Sequence, residues 1–98
     1  MEERGTPPFQ RVLLVCVRER PEGGAACGSR GGDAIHAKLK EYAKSRGLQG
    51  RCRVSRVHCL GLCAGGPNVA VMPENVWYSA VSLADVDAIG RKWIDPLA

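Results

Sequence analysis

The chain has 98 residues, of which 45% are hydrophobic and 24% are charged, and its formal net charge is +4. This length allows one domain at most, and these proportions exclude an intrinsically disordered chain. Its longest apolar run, Val12 to Val17, is far shorter than the roughly 20 residues that a membrane-spanning helix needs. We therefore expect one small packed domain that makes no contact with a membrane.

The first ten residues are charged and rich in proline, with neither the basic start nor the apolar stretch of a signal peptide. We expect residues 1–10 to form a flexible arm, residues 11–98 to form the folded domain, and the protein to stay in the cytoplasm. In that compartment five cysteines favour metal binding or redox chemistry over structural disulfides.

The first half of the domain predicts a strand, a loop and a helix. The unbroken aliphatic run from Arg11 to Val17 is typical of a central strand that is covered on both faces. Glycines and a proline make residues 18–32 a predicted loop, which contains Cys27. Asp33 is predicted to cap the following helix and Gly47 to end it. The apolar face of this helix is Ile35, Leu39, Tyr42 and Ala43.

The second half predicts three strands and a final helix. Residues 51–57 alternate polar and apolar side chains, and their arginines suit the edge of a sheet. Val69–Met72 and Val76–Tyr78 form a predicted hairpin around Pro73. A capping box beginning at Ser82 opens the last helix, which Pro96 ends. The predicted core face of that helix is Leu83, Val86, Ile89 and Trp93.

This element order predicts an α/β fold. A strand-helix-strand unit gives parallel neighbours through a right-handed crossover, and the hairpin adds two antiparallel strands. With the apolar strands in the middle, the four-stranded mixed sheet has the order 2-1-3-4 and is flanked by two helices. Both cysteine loops are then expected at one end of the sheet, at the carboxyl ends of the first two strands.

Four cysteines have the spacing Cys16-x10-Cys27-x31-Cys59-x3-Cys63. A 2Fe-2S cluster takes four thiolate ligands, two for each iron, and Cys59 and Cys63 are close enough in sequence to share one iron. Structural zinc sites normally use pairs that are two to four residues apart, so the x10 pair disfavours zinc without excluding it. A disulfide also stays open, although the Cys-x-x-Cys motif of thioredoxin-type redox sites is absent.

Over residues 10–94 the whole pattern resembles the thioredoxin-like 2Fe-2S ferredoxins, which are related to the cluster subunit of NADH:quinone oxidoreductases. The resemblance rests on a strand ending in Cys16, a loop cysteine at Cys27 and the motif Cys59-Leu-Gly-Leu-Cys63. It continues through Gly66-Pro67-Asn-Val-Ala-Val71, Pro73-Glu74, Trp77-Tyr78 and a helix with Asp85-Val86 and Ile89.

The resemblance implies a thioredoxin-like fold, one 2Fe-2S cluster per chain, no catalysis by the protein itself and often a homodimer. It implies that the cluster ligands are Cys16, Cys27, Cys59 and Cys63. The x10 spacing favours the stand-alone ferredoxins of the family over the respiratory subunit, whose first two cysteines lie much closer together.

Other residues near the predicted site are assigned as follows. Cys52 alternates with Val54 and is expected in the core as a small apolar side chain. His58 is either a solvated histidine at a strand end or a group that modulates the cluster, and His36 has no assigned function. Trp77, Tyr78 and Trp93 are expected to pack in the core and the hairpin. Six arginines form a predicted basic surface: Arg18, Arg20, Arg30, Arg51, Arg53 and Arg56.

The sequence therefore predicts an electron carrier rather than an enzyme, with redox partner proteins attracted by its positive charge. One alternative is a redox-responsive module that docks on a partner enzyme and protects it, as some stand-alone ferredoxins of the family are thought to protect nitrogenase. Another is a zinc-stabilised adaptor domain. No nucleic-acid partner is predicted, because aromatic residues do not interleave with the basic ones.

Overall fold

The computed structural model describes residues 1–6, 8–17, 31–58 and 67–98. Within these residues, four strands form one mixed sheet in the order β2-β1-β3-β4, as predicted. β2 runs parallel to β1, and β3 runs antiparallel to both β1 and β4. The strands are β1 (Arg11–Cys16), β2 (Cys52–Val57), β3 (Val69–Met72) and β4 (Val76–Tyr78); the helix α1 (Gly32–Ser45) connects β1 to β2.

The core lies between the two helical regions and one face of the sheet, here called the inner sheet face. Because side chains alternate across a strand, Leu13 and Val15 of β1 point to this face, where both are fully buried. Neighbouring strands add Val54, Val69 and Val71, and the helices add Ile35, Leu39, Val86, Ile89 and Ile94. This single cluster fixes the position of β1 in the middle of the sheet.

The opposite face, here called the outer sheet face, is also apolar. It carries Val12, Leu14, Ala70, Met72 and Trp77, which the cross-strand register places side by side. Trp77 is 51% exposed there, so the prediction that it packs in the core is wrong. Tyr78 and Trp93 do pack against the core, where the Trp93 Nε1–H donates to the Tyr78 hydroxyl at 2.8 Å.

The N-cap of α1 lies two residues before the predicted cap, Asp33. Gly31 is the N-cap, with φ of 97°, a left-handed conformation that glycine adopts without strain. The prediction that Asp33 caps the helix is therefore wrong; its carboxylate lies in the first turn, where the helix dipole favours negative charge. Gly47 ends the helix as predicted: its φ is 69°, and its N–H donates to the carbonyl of Lys44.

The C-terminal helical region changes its helix type three times. A 3₁₀ turn (Leu83–Asp85) leads into α2 (Val86–Ile89), which continues as a π-helical segment (Gly90–Ile94) and a final 3₁₀ turn (Asp95–Leu97) that contains Pro96. The predicted capping box is present: the Asp85 carboxylate accepts hydrogen bonds from the Ser82 backbone N–H at 2.8 Å and from its hydroxyl at 3.0 Å. These bonds lower the pKa of Asp85.

The predicted core face of this region is correct at Val86, Ile89 and the partly buried Trp93, but not at Leu83. Leu83 is 53% exposed, because it lies in the 3₁₀ turn that precedes the helix. The π-helical segment adds a residue to its turn, so that Ile94 is fully buried while Trp93 is only partly buried.

Residues 1–6 and 8–10 precede β1 without a helix or strand, and the division into an arm and a domain stays a prediction. Among the helices that the structure describes, none combines the length and apolar character needed to cross a membrane.

Candidate metal centre

Cys16 is the last residue of β1 and is fully buried. Its backbone N–H donates to the carbonyl of Asn68 at 3.1 Å, and its Sγ lies 4.0 Å from the carbonyl oxygen of His58. The central strand therefore presents a buried thiol at the end of the sheet, with its backbone fixed by the residue that precedes β3.

The described chain segments converge at this end of the sheet. The N–H of Val17 donates to the carbonyl of Val57 at 3.0 Å, which joins the ends of β1 and β2. Asp33, in the first turn of α1, forms an ion pair of 3.6 Å with Arg56 near the end of β2. The residues that flank 18–30 and 59–66 in sequence thus lie around Cys16.

Of the four predicted ligands, the structure describes only Cys16. Cys27, Cys59 and Cys63 lie outside the described residues, so the ligand assignment stays a prediction. Within residues 1–6, 8–17, 31–58 and 67–98, no group of three His, Cys, Asp or Glu side chains is placed to hold a metal ion.

Cys52 lies at the opposite end of the sheet from Cys16. The register pairs Cys52 with Arg11 at the start of β1 and Cys16 with Val57 at the end of β2. Five strand steps of about 3.3 Å separate the two cysteines by roughly 16 Å along the sheet. Burial raises the pKa of the Cys52 thiol to about 11, which keeps it protonated at neutral pH. The prediction that Cys52 is a core residue is confirmed.

The two histidines differ in their surroundings. His58 is exposed, and its backbone carbonyl oxygen lies next to the Cys16 sulfur. His36 lies on α1 and its Nε2 is 3.3 Å from the carbonyl oxygen of Val54. Burial is the main cause that lowers the pKa of His36, and the positive charge of Arg56 lowers it further. His36 therefore helps to attach α1 to the edge strand.

No sequence pattern predicts a role for Asn68. This residue is fully buried, and its Oδ1 accepts a hydrogen bond of 2.9 Å from the Nε1–H of Trp77. The available signal was the position of a carboxamide directly before the apolar strand β3. Asn68 contacts both the backbone of Cys16 and an exposed indole on the outer sheet face.

The arginines are only partly gathered around Cys16. Arg53 and Arg56 are exposed on the edge strand β2, and Arg56 lies near its cysteine end. Arg51 lies at the other end of the sheet, where its Nη1–H donates to the carbonyl of Leu97 at 2.7 Å. Arg18, Arg20 and Arg30 lie outside the described residues.

Known proteins resemble this chain in sequence. No protein-family model matches it. It is 34% identical over 85 residues to a 2Fe-2S ferredoxin of Clostridium pasteurianum, an alignment that covers 85% of this chain and 83% of the relative. The chain belongs to the 2Fe-2S ferredoxins. A second relative, the 2Fe-2S ferredoxin of Aquifex aeolicus (strain VF5), is 32% identical over 83 residues, which are 82% of this chain and 75% of that ferredoxin.

Solved structures identify the branch of ferredoxins. The chain superimposes on the wild-type thioredoxin-like [2Fe-2S] ferredoxin from Aquifex aeolicus with a TM-score of 0.79 and 31% identity, over 86% of this chain and 84% of that one. A second structure of the Aquifex thioredoxin-like ferredoxin gives a TM-score of 0.82 at 30% identity, over 90% of this chain and 83% of the other. The predicted family and the predicted thioredoxin-like fold are both confirmed.

Proposed function

We propose that this ferredoxin carries single electrons between redox partner proteins on one 2Fe-2S cluster held by Cys16, Cys27, Cys59 and Cys63. When bound, such a cluster accepts one electron and releases it again. The protein itself contributes the ligands, the shielding from water and a surface for its partners, without catalysing a reaction of its own.

One observation carries this proposal. Cys16 is a buried thiol that lies near the described residues on either side of segments 18–30 and 59–66, which contain the other three predicted ligands. Val17 and Gly31 flank the segment with Cys27, and His58 and Pro67 flank the segment with Cys59 and Cys63. Cys16 contacts His58 and Asn68, so the residues on both sides of segment 59–66 lie next to the start of segment 18–30. Thiolates are the ligands that iron-sulfur clusters require, so the donor set fits the cofactor.

The exclusion of Cys52 supports the same set of ligands. The chain has five cysteines, and Cys52 is held in the core at the far end of the sheet. The remaining four cysteines match in number the four thiolates that a 2Fe-2S cluster needs. The spacing of Cys16 and Cys27 continues to disfavour a structural zinc site.

The central strand prepares Cys16 for this role. The backbone at this end of β1 is hydrogen-bonded to β2 through Val17 and to the residue before β3, Asn68, so the backbone of Cys16 is held on both sides. Burial of Cys16 keeps water away from its sulfur. Low solvent exposure is one of the factors that set the potential of an iron-sulfur site.

The test is a chemical and spectroscopic analysis of the purified protein. We expect two irons and two acid-labile sulfides per chain, a red-brown colour, and a spin-half EPR signal that appears on reduction with dithionite. A colourless protein that holds one zinc ion would contradict electron transfer and favour the adaptor alternative.

Two cysteine variants test the ligand assignment as a matched pair. We expect Cys16→Ala to lose the 2Fe-2S cluster, because one iron would lack a thiolate. We expect Cys52→Ala to keep both irons and the same EPR spectrum, because its thiol is distant from Cys16 and protonated. Iron content and EPR on both proteins decide the question. Full iron in Cys16→Ala, or none in a folded Cys52→Ala, would contradict the assignment.

We also propose that the partners are acidic proteins, since the chain carries a net charge of +4 and exposes Arg53 and Arg56 on the edge strand, with Arg56 near the end of the sheet that holds Cys16. The homodimer is a further proposal, supported by the apolar outer sheet face. The cytoplasmic location and the lack of nucleic-acid and membrane partners stay predictions from the sequence.

A further inference from the structure

A groove lies between α1 and the edge strand β2 and is here called the α1–β2 groove. It joins two hollows of about 550 and 240 Å³ that meet at Lys40. From α1 it is lined by Asp33, Lys40 and Lys44, whose spacing of seven and four positions places them on one side of the helix. From β2 it is lined by Arg53 and Arg56. Within the described residues β2 is the edge of the sheet, so no strand there lies beyond the groove.

The groove carries more positive than negative charge. Its exposed basic side chains are Lys40, Lys44, Arg53 and Arg56. Two carboxylates also line it, Asp33 and Glu41, and that of Asp33 is 3.6 Å from the guanidinium of Arg56. Within the described part of the chain, the ion pairs leave Lys40, Lys44 and Arg53 without a carboxylate partner. These three cations are therefore available to carboxylates from another molecule.

His36 senses a positive field inside the groove. Its ring lies between α1 and β2, with Nε2 3.3 Å from the carbonyl oxygen of Val54. Burial is the main cause that lowers the pKa of His36, and the charges of Arg56 and Lys40 lower it further. Each of these two positive charges acts on the ring more strongly than the opposing charge of Asp33.

One end of the groove lies beside Cys16. Arg56 pairs with Val15 in the parallel register, and Cys16 is the next residue of β1. A strand spacing of about 4.8 Å and a rise of about 3.3 Å per residue place the Cα atoms of Arg56 and Cys16 about 6 Å apart. A molecule bound in the groove would therefore reach the end of the sheet that holds the buried thiol.

We propose that the α1–β2 groove is the docking site for an acidic segment of a redox partner protein, whose carboxylates pair with Lys40, Lys44 and Arg53. The inference rests on the proposed function and names the surface that the partner uses. Docking there places the partner beside the cluster end of the sheet. The positive field also speeds the encounter with an acidic protein and selects its orientation.

The chemistry of the groove favours a protein over a nucleic acid. Sites for single-stranded nucleic acids combine basic side chains with aromatic rings on which the bases stack. Among the described residues that line the groove there is no Phe, Tyr or Trp. A continuous phosphate backbone would also meet the carboxylates of Asp33 and Glu41, whereas a peptide can place its own carboxylates at separate positions.

The test measures binding of a fluorescent peptide of eight glutamates to the cluster-loaded protein by fluorescence anisotropy. We expect the double variant Lys40→Glu/Lys44→Glu to bind it about tenfold more weakly than the wild type, because two attractive surface pairs become repulsive. The matched control is Lys38→Glu/Lys92→Glu, which changes the net charge equally. Lys38 lines a hollow on the other side of α1 with Asp87, and Lys92 lies beside Tyr78. An equal loss of affinity in both double variants overturns the inference.

Cross-linking locates the peptide on the wild-type protein. A carbodiimide joins a carboxylate to a lysine amine in contact with it, and the four lysines of the chain divide evenly between the groove and other surfaces. We expect the cross-linked peptides to contain Lys40 and Lys44. Cross-links that form mainly at Lys38 or Lys92 overturn the inference.

Two further outcomes separate the alternatives. An oligothymidylate of twelve nucleotides that binds more tightly than the peptide, and loses this affinity in Lys40→Glu/Lys44→Glu, would make the groove a nucleic-acid site and overturn the inference. Iron and sulfide are determined on every sample. A fully loaded wild type that does not bind the peptide overturns the docking site and leaves the proposed function intact, whereas a wild type without iron overturns both.

Discussion

Gly90, in the C-terminal helical region, packs against the ring of Tyr42 in α1. A Cβ atom built on Gly90 would lie 2.5 Å from Cε1 and Cζ of Tyr42. The ring of Tyr42 cannot move aside freely, because its hydroxyl donates to Asp95 at 3.0 Å and the guanidinium of Arg46 lies 4.3 Å from its centroid. Only a residue without a side chain fits between the two helices.

We therefore expect Gly90→Ala to lower the free energy of unfolding by about 1–3 kcal/mol, the usual cost of an overpacked core. Urea denaturation followed by circular dichroism measures this difference. The control is Gly50→Ala, since a Cβ atom there meets no atom within 4 Å. Equal stability of the two variants would show that Tyr42 gives way without cost.

Individual residues also show how far the sequence could predict the site. The core position of Cys52 was predictable, because alternation with Val54 is a local pattern. The burial and hydrogen bonds of Asn68 were not predictable, because they depend on Cys16 and Trp77, which come from two other strands. Contacts between residues that are far apart in sequence are set by the register of the sheet, which the sequence does not state.

At the scale of secondary-structure elements, Arg11 connects the start of β1 to the β3–β4 turn and to the π-helical segment. Its Nε–H and Nη2–H donate to the two carboxylate oxygens of Glu74 at 3.1 and 2.7 Å, and its Nη1–H donates to the carbonyl of Trp93 at 2.6 Å. The hydrogen bond from Arg11 lowers the pKa of Glu74 below its ordinary value.

This ion pair predicts a pH dependence of stability. A carboxylate whose pKa is lowered in the folded state stabilises the fold above its ordinary pKa, and this contribution disappears as the pH falls through the lowered pKa. Glu74→Gln should be less stable than the wild type at pH 7, by roughly 0.5–1 kcal/mol, and the difference should vanish in acid. Unfolding of both proteins across this pH range measures it, with the exposed Glu41→Gln as control. A difference that persists in acid would rule out the ionic contribution.

The elements differ in how well their sequence signals predicted them. The strand order was predictable because aliphatic runs, alternation and turn residues are local signals. The start of α1 was misplaced because its cap is Gly31, a glycine in a left-handed conformation, instead of the usual polar side chain at Asp33. The burial of Ile94 was missed because helical periodicity assumes 3.6 residues per turn, and the π-helical segment departs from it.

At the scale of the whole molecule, the two faces of the sheet are unequally covered. The inner sheet face packs against α1 and α2, whereas all helices among the described residues lie away from the outer sheet face. Trp77, Ala70 and Leu14 form one cross-strand row on that outer face, next to Met72 and Val12. A contiguous apolar surface of this kind marks a site of association.

The proposed homodimer places two copies of this face against each other, since a twofold interface uses the same surface on both subunits. Leu14→Glu puts a carboxylate in the middle of the row and should convert the dimer into a monomer, because burying an unpaired charge is costly. Sedimentation equilibrium of the loaded proteins measures the change. Leu83→Glu is the matched control: Leu83 is 53% exposed on the helical side, so that variant should stay dimeric. A monomeric wild type would refute the homodimer, and a dimeric Leu14→Glu would move the interface to another surface.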